Sequence, residues 1–136
     1  MKLEDQVVSL ELAMRLKELG VKQNSFFTWV KDFVTGDYKL NTFERPFYGS
    51  VKNYWAAGFN SDEHPMFDAF TVAELGEMLQ VGPRSYSWKG EVTTSKWVCH
   101  LKEFEYVGKG WEEADTEADA RAKMLIHLIE KGIAKP

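Results

Sequence analysis

Residues 111–132 read WEEADTEADARAKMLIHLIEKG, and the fold turns on whether this stretch is chemistry or a docking helix. Asp115 or Thr116 can cap a helix here. Glu117 and Asp119 then fall at its positive end and Lys131 at its negative end. Ala118, Ala122, Leu125 and Leu128 or Ile129 recur as one apolar stripe. Gly132 followed by Ile133 closes the helix as a C′ glycine with its apolar contact. The small side chains Ala118, Ala120 and Ala122 let the first half lie close to a sheet. Folding accounts for every one of these residues, so the stretch is read as a docking helix. The stripe would look the same against its own chain or against a second copy, so a homo-oligomer is among the expectations.

Two further helices follow from the same signals. Ser9 precedes Leu10–Leu19, where Leu12, Leu16 and Leu19 recur at helical spacing and Gly20-Val21 marks the stop. Glu11 and Arg15 stand four apart, close enough for a weak surface pair. In FTVAELGEMLQ, Thr71 and Glu74 form a capping box ahead of Val72, Leu75 and Leu79, and Gly82-Pro83 stops the helix. Between them, SFFTWVKDFVTGDYKLNTF alternates aromatic and β-branched residues about a Thr-Gly-Asp turn, which favours a hairpin over a helix. Tyr86, Trp88 and the run Trp97-Val-Cys-His-Leu read as antiparallel strands, with Trp97, Cys99 and Leu101 on one face, and Phe104–Val107 as a further strand. The expected fold is one α+β domain over residues 1–136, with about three helices packed on a small antiparallel sheet. Residues 43–67, rich in Pro, Gly and aromatic rings, are expected as a long irregular segment.

Composition narrows the function. At 136 residues the chain has one domain's length, and its net charge of −4 argues against a sequence-independent nucleic-acid binder. Five acidic residues and no Lys or Arg fall between Phe59 and Gln80. Aromatics reach 14%, with five tryptophans, which raises the case for a binding surface. Cys99 is the one cysteine, so no internal disulfide forms, and a buried thiol in a reducing compartment is expected. No leader pattern and no membrane-length apolar run is seen, which gives the expectation of a soluble cytoplasmic protein without membrane contact.

Chemistry-bearing motifs are few. His64, His100 and His127 lack partners at metal spacing, and Asp62-Glu63-His64 is the single cluster that could serve a metal or a small ligand. No Walker loop, G-x-G-x-x-G or G-x-S-x-G occurs. Neither a catalytic residue, a metal nor a cofactor is therefore assigned, and a non-enzymatic protein is favoured. The interleaved rings and cations Tyr38, Arg45, Tyr48, Lys52, Tyr54 and Trp55 are the candidate binding residues, since such a pattern can seat a protein partner or stack bases. TVAELGEMLQVGPRSYSWKG and LAMRLKELGVKQNSFFTWVK each resemble a helix-turn-helix, which supplies the alternative of a small DNA-binding regulator.

The blocks SLELAMRLKELGVKQ (9–23), TVAELGEMLQ (71–80) and ADTEADARAKMLIHLIEKG (114–132) together resemble small proteins of unassigned function encoded by bacteriophages and prophages, notably of gut Bacteroidetes. The resemblance implies a phage-borne accessory protein in the cytoplasm of an infected or lysogenic host, acting by contact with a host protein or defence factor. It carries over no catalytic residue.

Overall fold

The computed structural model describes residues 2–32, 35–41, 66–79, 85–89, 96–101 and 111–136. Among these the chain forms three α-helices, α1 (Leu10–Glu18), α2 (Val72–Met78) and α3 (Glu117–Glu130), after a single 3₁₀ turn at Leu3–Asp5. Six strands accompany them: β1 (Thr28–Lys31), β2 (Tyr38–Asn41), β3 (Phe67–Asp68), β4 (Ser85–Lys89), β5 (Trp97–Leu101) and β6 (Trp111–Ala114). The α+β class is as expected, but the strands divide into two antiparallel three-stranded sheets, β2-β1-β3 and β4-β5-β6.

The predicted ends of the helices are built as their residues dictate. Val21 donates to the Leu16 carbonyl and Gly20 to that of Lys17, with Gly20 at φ 89°. Ile133 and Gly132 repeat the pattern on Leu128 and Ile129, with Gly132 at φ 72°. Both ends are thus Schellman closures, which need a left-handed residue at C′. At the start of α2 the Thr71 hydroxyl accepts from the Glu74 amide at 3.2 Å while the Glu74 carboxylate accepts from the Thr71 amide at 2.7 Å. Thr71→Ala removes one arm of that box and should cost about 1 kcal/mol in urea unfolding.

Two local expectations are corrected. Ser9 occupies the N-cap of α1 without a side-chain cap bond; its amide instead donates to Asp119 Oδ1 at 2.7 Å, from the first turn of α3. The Ser9 hydroxyl is drawn to the same Asp119 carboxylate, a stronger charge-assisted partner, and not to the amides of its own first turn. Arg15 pairs not with Glu11 but with Glu18 at 2.9 Å and Glu130 at 2.8 Å. The second contact ties α1 to α3.

The helix of the opening stretch begins after Thr116, whose hydroxyl accepts from the Asp119 amide at 3.2 Å. The four residues Trp111–Ala114, ahead of the cap, are the edge strand β6. Ala118, Ala120, Ala122, Met124, Leu125 and Leu128 of α3 are all buried. At about 100° per residue they span more than half the helix circumference. That wide arc suits a helix enclosed on several sides: α3 packs on the strands of the second sheet and on both α1 and α2. The docking surface is therefore the chain's own, with Leu16, Leu75, Leu79, Phe70, Cys99 and Ala114 sharing one cluster with it.

The hairpin reading of residues 26–34 holds for Thr28–Lys31, which pairs with Tyr38–Asn41 across a turn carrying Gly36 at φ 78°. Phe67, expected in the irregular segment, instead opens β3 and pairs with Trp29. Residues 43–65, Gly82-Pro83 and Phe104–Val107 lie outside the described residues.

Candidate functional site

Of the predicted binding residues, Tyr38 is placed on β2, half-buried, with its ring 5.9 Å from that of Phe67. Burial raises its hydroxyl pKa, and the ring serves the packing of the first sheet. Arg45, Tyr48, Lys52, Tyr54 and Trp55 lie outside the described residues, as do Asp62, Glu63 and His64. Both helix-turn-helix readings fail on geometry. Ser85–Lys89, where the first needs its recognition helix, is strand β4, and Thr28–Lys31, where the second needs it, is strand β1.

A groove of about 700 Å³ opens elsewhere, built from five separate parts of the chain. One wall is the N-terminal segment with Leu3, Asp5, Gln6 and Val7. That segment is fixed by a Val7–Thr71 bridge, by the Val8 amide donating to the Phe70 carbonyl at 2.9 Å, and by the Trp29 indole donating to the Val8 carbonyl at 2.9 Å. A second wall is the first turn of α2, with Thr71, Val72 and Ala73; a third is the start of α3, with Asp115, Thr116 and Glu117. Phe27 and Trp97 complete the lining. Val7 is buried at the base, while Asp5, Gln6, Ala73 and Asp115 are exposed at the rim.

At each helix start the cap hydroxyl takes one first-turn amide, that of Glu74 in α2 and that of Asp119 in α3. The described lining includes three carboxylates and neither Lys nor Arg, although Glu117 also meets Arg121 at 3.2 Å. Phe26, adjacent to Phe27, is 67% exposed, with its amide 3.4 Å from Glu74. The volume falls within the range of ligand and peptide pockets.

Beside this groove lies a polar lock that no sequence motif announces. Asp68 Oδ2 accepts from the Ser25 amide at 2.6 Å and the Asp68 amide donates to Gln23 Oε1 at 2.9 Å. The Ser25 hydroxyl lies 2.9 Å from Glu74 Oε2. Burial pushes the Asp68 carboxyl up to about 6, with the Ser25 amide and Lys17 opposing the shift and Glu74 adding to it. The lock holds the α1–β1 connection, and with it Phe26 and Phe27, against the start of α2. It is structural: each carboxylate is engaged by backbone amides.

Cys99 is fully buried, and burial pushes its thiol up to about 11, so it is no thiolate nucleophile near neutral pH. Among the described residues no three His, Cys, Asp or Glu side chains stand together as metal ligands, and no helix is long and apolar enough to cross a membrane. A smaller cavity of about 240 Å³ lies by the C-terminus, between Val21, Met78, Leu125 and Ile129. No family model, curated protein or solved structure matches the chain.

Proposed function

We propose that this chain is a non-enzymatic binding protein that receives a segment of another protein in the groove between the N-terminal segment, α2 and α3. The observation that carries the reading is the groove itself: a preformed cleft of about 700 Å³ with Val7, Val72, Phe27 and Trp97 in its lining, held by hydrogen bonds on three sides. Apolar concavity with a few polar groups at the rim is how proteins seat extended segments and ligands. The resemblance of the three helical blocks to phage- and prophage-encoded proteins makes a host protein the partner class. The DNA-regulator alternative has lost its recognition helices to strands β1 and β4.

Ala73 offers a clean test because it lines the groove yet is exposed. Ala73→Trp fills the space at a helix position that tolerates it, for about 0.5 kcal/mol of helix propensity. Affinity capture from a bacterial host lysate should retain a stoichiometric protein on the native chain and lose it on Ala73→Trp at unchanged melting temperature. Equal retention by both would place binding elsewhere and sink the groove reading.

A further inference from the structure

We propose that the segment received by the groove is cationic, a Lys or Arg side chain flanked by apolar residues; this rests on the groove being the binding surface. Two observations meet. Asp5 and Asp115 stand exposed at the rim with Glu117 beside them, and no Lys or Arg is among the described lining residues. Phe27 and Trp97, both half-buried, line the same space, and aromatic faces attract a cation where carboxylates do. Their joint presence selects a basic side chain over an anionic or neutral one.

The position of Asp115 and Glu117 at the start of α3 explains why the charges are tolerated there. Glu117 is paired with Arg121, whose Nε and Nη2 donate to its Oε1 at 3.4 and 3.2 Å, so the attraction for a cation rests on Asp5 and Asp115. The carboxylates of Asp5 and Asp115 at the rim repel a phosphate or carboxylate as they attract a cation. The chain's net charge of −4 adds a long-range pull in the same direction.

The test uses the full chain and three fluorescein-labelled hexapeptides, alternating Leu with Arg, with Gln or with Glu, read by anisotropy. The Leu-Arg peptide should bind best and weaken as salt rises. Asp5→Asn with Asp115→Asn should weaken it by about threefold to tenfold while leaving the Leu-Gln peptide unchanged, and Ala73→Trp should abolish binding. If Leu-Gln binds as well as Leu-Arg and Ala73→Trp still blocks both, the cation preference is refuted and the groove stands. If Leu-Arg binds equally to Ala73→Trp, its site is elsewhere and both readings fall. If no peptide binds, the cationic-segment proposal is overturned.

Discussion

Phe70→Ala should lower the free energy of unfolding by about 3–5 kcal/mol, a large share of the roughly 5–15 kcal/mol that a domain of this kind has. Phe70 is the largest of the fully buried side chains among the described residues, between β3 and α2, in one cluster with Val8, Leu16 and Leu75. Its carbonyl also receives the Val8 amide at 2.9 Å, so the residue joins the N-terminal segment to the core through both backbone and side chain. Truncation leaves a cavity whose walls belong to different elements and cannot collapse together. Urea unfolding measures the loss, with Met14→Ala, at a side chain 42% exposed on α1, as the comparison expected to change little. A Phe70→Ala loss no larger than that of Met14→Ala would mean that the core is not organised around β3 and α2.

Asp68→Asn should do the opposite above neutral pH. The Asp68 carboxyl goes from its ordinary 3.8 to about 6 on folding, chiefly because burial penalises the charged form. A folded-state pKa above the unfolded one means that the folded chain binds the proton more readily. The stabilising contribution is then complete below 3.8 and is lost as pH rises through about 6. At about 1.4 kcal/mol per pH unit, the charged form costs up to about 3 kcal/mol at pH 8. The substituted amide is uncharged at every pH and keeps an oxygen to accept the Ser25 amide. Melting curves of Asp68→Asn should therefore lie above those of the native chain at pH 8 and converge with them near pH 4. Asp119, whose carboxyl burial also raises, leaves a similar trend in both proteins, so the difference between them isolates Asp68. Curves that stay parallel across this range would show that Asp68 does not titrate as its burial requires.

Much of the fold is legible because its signals are local. The Thr71–Glu74 box, the Gly20 and Gly132 closures and the Ala-rich stripe of α3 each lie within a few residues, and each is built as read. The hairpin is legible for the same reason. What escapes are pairings decided by distance in space. Ser9 finds Asp119, 110 residues away, rather than bonding within its own turn. Arg15 likewise bridges to Glu130 across 115 residues instead of pairing with Glu11. β3 is only two residues long, too short for alternation to announce it, and exists because Trp29 and Thr28 offer an open edge.

The groove is illegible on the same grounds. Its lining comes from five stretches, and the motifs among them, the caps at Thr71 and Thr116, announce helix starts and not a shared cleft. Val7 and Val8, almost wholly buried, are the one hint: two adjacent β-branched apolar residues ahead of a helix announce a segment that packs. Asp115 and Glu117 show in the sequence as helix-start charges, yet their second property, facing a shared cleft with Asp5, depends on how α3 meets the N-terminal segment.

The most direct test is a backbone-amide NMR titration of the native chain with the Leu-Arg peptide. Saturable shift changes concentrated at Leu3–Val7, Thr71–Ala73 and Asp115–Glu117 are the expected result. Changes centred on the far end of β6 around Trp111, or on the smaller C-terminal cavity, would contradict the assignment of the groove as the binding surface.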